Sequence, residues 1–250
     1  MPVPDGFVRI IRSEFPDDRL TFQKRVATFH PESAQEAAQL FALANKHSQK
    51  LFVTGFGNNI DPRGEPFLSM VSVRTDRLNR IEEVNEQDLY ITVGSGYPLR
   101  EINHRLFRHK LVLVPALLPY VGSVGGAIAV GLTGELHEVA VPMKKYLLKA
   151  TVVTPTGEVI SPGSVCFKSV SGYDVVKLFH NSWGLLGLIV SASLRLMPAT
   201  GVEDFREFHQ LGIDRTGLLA ALDASDLSDD AIYARKIRRK FDPNSILPIV

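Results

Sequence analysis

The 250-residue chain has a single cysteine, Cys166. One cysteine excludes a disulfide within the chain and fits a reducing compartment. It lies between Val165 and Phe167 and reads more readily as a small buried side chain than as a nucleophile. Long apolar runs are also missing. No stretch reaches the roughly 18–20 apolar residues of a membrane span; the run from Leu111 to Pro119 is short and holds two prolines. Met1–Arg12 has no apolar core of signal-peptide length and carries Asp5 and Arg9 early. No sign of charge dominates: 28 basic residues face 27 acidic ones, a formal net charge of +1. That balance makes no electrostatic case for nucleic acid or an anionic membrane surface. The expectation is a cytoplasmic protein with no transmembrane segment and no nucleic-acid partner.

Several catalytic signatures are absent too. The 7 histidines are scattered, His137-Glu138 lacks the second histidine of a zincin helix, and no Cys/His pair has metal-ligand spacing. No metal site is expected. There is no Gly-x-Ser-x-Gly elbow. Gly55-Phe56-Gly57-Asn58-Asn59 is not a Rossmann fingerprint. The third glycine is missing, and Pro62, Gly64 and Pro66 stand where a phosphate-receiving helix should begin. No Gly-Lys-Ser/Thr follows to make a P-loop.

What is present is an ordinary globular composition, 45% hydrophobic and 22% charged. Residues 1–29 are mixed and charged and read as an N-terminal extension or edge hairpin. Ser33 and Glu36 make a capping box, and Ala37, Leu40, Phe41 and Ala44 recur on one helical face. Strands are expected at Leu51–Thr54, Phe67–Val73 and Leu89–Val93, then a helix over Leu99–Arg108 and an extended connector over Leu111–Tyr120. Pro155-Thr156-Gly157-Glu158 joins Tyr146–Thr154 to Val159–Ser161 as a hairpin. A short helix over Asp174–Phe179, a strand over Gly187–Leu196 and a helix over Thr216–Ala224 follow. A last helix, 229–241, is expected to be capped by Asp229 and Asp230 and to end in a basic run that suits its dipole.

Glycine-bearing loops are the candidate binding elements. Glycine lets backbone approach a ligand closely, and successive backbone amides can nest an anion such as a diphosphate. Gly55–Asn59 follows a strand and adds two asparagine donors; read alone, it is equally a strand-ending turn. Gly122–Gly131 carries four glycines among small residues. That suits either a planar ligand or tight helix packing.

Taken in order, these segments resemble the FAD-binding domain of the vanillyl-alcohol oxidase (p-cresol methylhydroxylase, PCMH-type) superfamily. The resemblance runs from about Pro31 to Pro198. It is carried by the Pro-Glu-Ser helix start, Leu51–Asn59, Asp76–Ile81, Val93–Gly96, Gly122–Ala129 and the Val152–Glu158 hairpin. Lys168–Asp174 and Ser182–Ile189 close the set. Lys168–Leu178 is most similar to the FAD subunit of bacterial glycolate oxidase. Arg238–Leu247 is similar to the superfamily's C-terminal tail, so the chain is expected to reach a natural end. Phe56, Thr54, Leu185 and Asn181 depart from the superfamily pattern.

The resemblance implies an α+β, PCMH-type FAD-binding fold of two α+β lobes with a C-terminal helical tail. The expected organisation is an extension over 1–29, an FAD-binding domain over 30–199 (lobes about 30–115 and 116–199), and a linker with C-terminal helix over 200–250. The C-terminal helix is expected to pack on the first lobe. The implied cofactor is FAD, held non-covalently because the first loop holds no histidine and Cys166 is far from the second. Its implied contacts are Thr54, Gly55, Phe56, Gly57, Asn58 and Asn59 for the diphosphate, with Pro115 beside them. Gly122, Ser123, Val124, Gly125, Gly126 and Ala129 would line diphosphate and isoalloxazine. Gly187, Leu188, Ile189 and Val190 would run along adenine and ribose, while Tyr173 and Asp174 order the second lobe.

The superfamily's substantial substrate domain is reduced here to the stretch 201–231, which holds Arg206, His209 and Arg215 but cannot bury a core of its own. No catalytic residue is assigned. Two functions remain open. One is an FAD-dependent oxidoreductase subunit of the glycolate or D-lactate oxidase type, acting on a small hydroxy acid or alcohol, with its site completed by a partner subunit or a homo-oligomer. The other is a non-catalytic scaffold or electron-relay subunit.

Overall fold

The computed structural model describes residues 5–136, 139–165, 174–200, 208–212, 222 and 225–249. Cys166, most of the Lys168–Asp174 motif, Arg206, Arg215 and nearly all of the expected helix 216–224 lie outside the described residues.

Helix α1 (Asp5–Glu14) opens the chain. Phe7, Ile11 and Phe15 recur every fourth residue and are all buried, a helical stripe hidden among charged neighbours. A hairpin of β1 (Leu20–Gln23) and β2 (Val26–Phe29) follows. Helix α2 (Ala34–Lys46) starts at Ser33, whose side chain accepts the Glu36 amide, and buries the expected stripe of Ala37, Leu40, Phe41 and Ala44. Strands β3 (Leu51–Thr54) and β4 (Val71–Arg74) complete a four-stranded sheet in the order β1-β2-β4-β3. Both neighbours of β4 run parallel to it. All four residues of β2 are buried, as a central strand between a hairpin partner and a parallel neighbour requires.

The second sheet has five strands, β5 (Ile81–Asn85), β6 (Tyr90–Gly94), β10 (Leu147–Val153), β11 (Val159–Ile160) and β12 (Leu188–Arg195). Their order is β11-β10-β12-β6-β5, and every pairing is antiparallel. Strands β5 and β6 precede residue 115, yet they pair here and not with β3 or β4. The sheets therefore do not divide where the sequence changes character. Between them in sequence run helix α3 (Ile102–Leu106), β7 (Leu111–Val112), helix α4 (Val124–Ala129), β8 (Thr133–Leu136) and β9 (Val139–Ala140). Strand β7 pairs with β13 (Met197–Pro198), and β14 (Phe208–Gly212) joins β8 and β9.

Two cores lie on opposite faces of the five-stranded sheet. Val153, Leu188 and Val190 join Phe29, Leu40, Phe41 and Val71 of the first sheet and α2. Val152, Ile189, Ala192 and Leu194 face Leu99, Ile102, Val124 and Ile128. Successive strand residues point to opposite faces, and a bulge in β12 between Ile189 and Ser191, opposite Val152 and Thr151, puts Ala192 and Leu194 on the face of Ile189, so one strand serves both cores. Burying a Phe or Leu side chain in such a core stabilises by about 1.5–3 kcal/mol.

Helix α5 (Asp229–Phe241) is capped by Ser228, whose side chain accepts the Ala231 amide; Asp229 and Asp230 occupy its first turn. This corrects the expected cap, because a residue outside the helix is placed to reach the third amide. The packing expectation is also corrected. Ile237 and Phe241 lie against the second core, and the Phe241 ring meets Phe179 edge-on at 5.8 Å. Only the tail beyond the helix enters the first core, through Ile246 and Leu247. The Leu51 amide donates to the Ile246 carbonyl at 2.8 Å, so the tail lies beside β3. The buried Asp242 carboxylate accepts the Ile246 and Leu247 amides, both at 2.8 Å.

Candidate FAD site

Strand β3 ends at Thr54 and delivers the chain into the loop 55–60. That loop faces the segment 120–126, which enters α4. Between them opens a cavity. Its walls come from both sheets. Thr54, Gly55, Phe56, Gly57, Asn58 and Asn59 line one side; Gly122, Ser123, Gly125, Gly126 and Ala129 line the other; Gly187 and Ile189 close a third.

Glycine is required where the loops approach. A Cβ at Gly55 would stand 2.6 Å from the Ser123 hydroxyl oxygen, which no side chain tolerates. The Ser123 hydroxyl is itself fixed as the α4 cap, accepting the Gly126 amide at 3.1 Å. Side chains then tie the loops together. Asn58 Nδ2 donates to the Val121 carbonyl, and Asn59 Nδ2 donates to the Tyr120 hydroxyl at 3.4 Å. Burial raises the Tyr120 phenol above its ordinary pKa, with the Asn59 bond opposing, so it stays protonated at neutral pH.

Thr75 also lines the cavity, and its buried hydroxyl has no hydrogen-bond partner among the described residues. An orphaned buried hydroxyl costs about 1–3 kcal/mol, and a polar ligand in the cavity would remove that cost. Next to it, His30 bridges Thr21 and Asp76: its Nδ1 lies 2.7 Å from Asp76 Oδ1 and its Nε2 lies 2.9 Å from the Thr21 hydroxyl. Burial works to raise the Asp76 carboxyl. The His30 bond, the His30 charge and the Arg74 charge outweigh it and hold the carboxyl below the ordinary value. This bridge fixes the turn that presents Thr75.

Four of the residues singled out in the sequence are not on the cavity wall. Pro115 is buried in a 3-10 turn, Val114–Leu117. Val124 is fully buried, and its amide donates to the Tyr97 carbonyl. Leu188 and Val190 point into the first core while Ile189, between them, meets the cavity. Strand alternation allows only every second residue to reach one face. The motif Val93–Gly96 is also off the wall; a Cβ at Gly96 would lie 1.8 Å from the Thr75 carbonyl oxygen, so this segment packs backbone against backbone.

Other wall residues were assigned no contact from the sequence: Phe52, Val53, Ile60, Thr75, Tyr120, Val130, Ser182, Trp183 and Gly184. Tyr120 and Ile60 adjoin the glycine segments and could have been found by extending them. Thr75 carries no local signal, while Trp183 lies inside the Ser182–Ile189 motif, to which no contact at that position was assigned. Among the described residues no group of three His, Cys, Asp or Glu is placed to hold a metal ion, and no helix is long and apolar enough to cross a membrane.

Comparison with known proteins bears on what the cavity holds. The FAD binding domain family matches residues 26–163. The chain belongs to that family, in its PCMH-type fold, and FAD is its cofactor. It is similar to a D-lactate dehydrogenase of Archaeoglobus fulgidus, 27% identical over 67% of this chain and 38% of that protein. Glycolate oxidase subunit GlcD of Bacillus subtilis is 26% identical over 69% of this chain and 37% of its own length. A D-2-hydroxyglutarate dehydrogenase of Xanthomonas citri pv. viticola is 30% identical over 66% of this chain and 35% of that protein. The chain thus spans less than half the length of these curated relatives. Among solved structures, an alkyldihydroxyacetonephosphate synthase aligns with a TM-score of 0.66 at 19% identity, covering 79% of this chain and 41% of that one; that likeness shows the fold.

Proposed function

We propose that this chain is the FAD-holding part of an oxidoreductase of the D-lactate dehydrogenase and glycolate oxidase type, acting on a small hydroxy acid or alcohol. The observation that carries the reading is the cavity between the two glycine segments, with the unpartnered Thr75 hydroxyl on its wall. When bound, FAD supplies the acceptor for a hydride from the substrate carbon. The backbone of Gly55–Asn59 and of Gly122–Gly126 holds the diphosphate. Gly187 and Ile189 would line the adenosine portion, and the unpartnered Thr75 hydroxyl would be available to donate to a polar group of the cofactor. We expect binding to be non-covalent, as none of the described wall residues is histidine or cysteine.

None of the described wall residues is Asp, Glu, Lys, Arg or His. Such a lining orients and shields a cofactor but offers no group to take the hydroxyl proton of a substrate at neutral pH. We place the proton acceptor on a partner subunit or a second copy of this chain. The same uncharged lining favours a second reading, a scaffold or electron-relay subunit with FAD bound but no substrate turnover of its own. A cytoplasmic setting, read from the lone cysteine and the balanced charge, belongs to the same proposal.

The test is an absorption spectrum of purified protein before and after acid precipitation, followed by anaerobic addition of D-lactate or glycolate. Flavin bands that move to the supernatant and bleach with substrate support the enzyme reading. Bands that never bleach favour the relay subunit, and a protein that takes up no FAD overturns both.

A further inference from the structure

We propose that Trp183 is a cofactor-positioning residue whose indole forms the stacking wall for the adenine ring of FAD. The inference rests on the cofactor site proposed above. Trp183 is the only tryptophan in the chain. It is half-buried and lines the site cavity on one side and a second, apolar cleft on the other. Phe52, Val53, Ile60 and Gly184 share both linings. The lining thus combines the glycine segments, Ser123 and Asn59 with an uncharged apolar set, Phe52, Val53, Ile60 and Trp183.

The indole is held in place at a conformational cost. Both Asn181 (φ 58) and Trp183 (φ 51) adopt the left-handed backbone region, which residues with a Cβ rarely occupy and bulky ones least of all. Three hydrogen bonds impose it. The Asn181 amide donates to the Ile128 carbonyl at 3.0 Å and the Trp183 amide to the Ala129 carbonyl at 2.9 Å, both at the end of α4. The indole Nε1–H donates to Asn181 Oδ1 at 3.0 Å. At Gly184 (φ 77) a Cβ would stand 3.2 Å from that of Val53, so the turn presses against β3. Disfavoured backbone of this kind persists where the surrounding structure over-determines it, and it gathers at ligand clamps.

Two ring systems flank the diphosphate of FAD, and the surroundings choose between them. The isoalloxazine needs a face that substrate can reach. Behind Trp183 the cleft is lined by Leu247, Pro248 and Ile249 of the C-terminal tail, so a ring on this wall has protein behind it. An uncharged aromatic platform is also the surface on which neutral bases stack, worth about 5- to 100-fold in affinity.

The lone tryptophan makes the test direct. Apoprotein of the wild type, Trp183→Ala and Trp183→Phe is titrated separately with FAD, ADP and FMN while tryptophan emission is followed; binding to the variants is read by calorimetry. Wild-type emission is expected to change with both FAD and ADP. Trp183→Ala is expected to lose about 5- to 100-fold in affinity for both, with FMN affinity unchanged, and Trp183→Phe to recover most of the loss. Unchanged ADP and FAD affinity in a folded Trp183→Ala overturns the proposal, as does a loss confined to FMN. If Trp183→Ala does not fold, Trp183→Leu, which keeps an apolar bulk without a stacking face, takes its place with the same expectations. A wild type that binds none of the three ligands overturns the cofactor site itself, and the proposal falls with it.

Discussion

Asn59 Nδ2 donates to the Tyr120 hydroxyl at 3.4 Å across the cavity, joining a loop that follows the first sheet to the segment that enters α4. These groups are 61 residues apart in sequence, and the bond sets the gap between the two glycine segments.

Removing one partner should loosen that gap without unfolding the chain. A hydrogen bond of this kind contributes about 0.5–1.5 kcal/mol. Tyr120→Phe is therefore expected to weaken FAD binding by about 2- to 10-fold with little change in Tm. Calorimetric titration of apoprotein with FAD checks it, and an unchanged Kd would show that the bond does not shape the site.

Gly55 faces the Ser123 hydroxyl at a separation that excludes a side chain. Gly55→Val should force the loops apart and abolish FAD retention through purification. The visible flavin bands per unit of protein report this, and circular dichroism confirms that the fold survives. Full retention of flavin by Gly55→Val would remove the loop 55–59 from the site.

His180 gives a pH dependence with a definite sign. Burial first, then the charges of Lys144 and Lys177, lower its pKa to about 4, and its buried Nε2 has no partner among the described residues. The ordinary value is about 6.5. Between these values the unfolded chain binds a proton that the folded chain does not. Stability should therefore fall as pH drops from about 6.5 to 4, by on the order of 2–3 kcal/mol. Denaturant titrations across that window should show the slope in wild type and a shallower one in His180→Gln.

Asp242 is 2% exposed and accepts two backbone amides of the tail. Asp242→Ala leaves both amides buried without acceptors and frees the tail from β3. The expected loss is about 2–4 kcal/mol, or a fall in Tm of roughly 5–10 °C for a chain of this size. A thermal melt within about 2 °C of wild type would mean that the remaining contacts, the burial of Ile246 and Leu247 and the Leu51–Ile246 bond among them, keep the tail docked.

The legible parts of this protein were those whose signal is local. The stripe of Ala37, Leu40, Phe41 and Ala44 identifies α2, the Pro155–Glu158 turn identifies the β10–β11 hairpin, and the ordered glycine segments point to FAD. Helix α1 was missed because Phe7, Ile11 and Phe15 sit among charges that suggested an extension. Strand β5 was missed because its outward residues, Glu82 and Glu83, mask a pairing supplied entirely by β6.

Chain composition alone determined that no internal disulfide forms, and it determined where backbone can turn or approach closely, since both follow from residue type. Tertiary structure decided which side chains meet the cavity. Leu188, Ile189 and Val190 look alike in sequence, yet only Ile189 reaches the wall, because strand pairing selects the face. Thr75 and Trp183 became wall residues for the same reason. Their positions depend on β4 pairing with β3, as in Val53 opposite Val73, and on the 181–184 turn docking onto α4 through the Asn181–Ile128 and Trp183–Ala129 bonds, contacts between segments distant in sequence that no local pattern encodes.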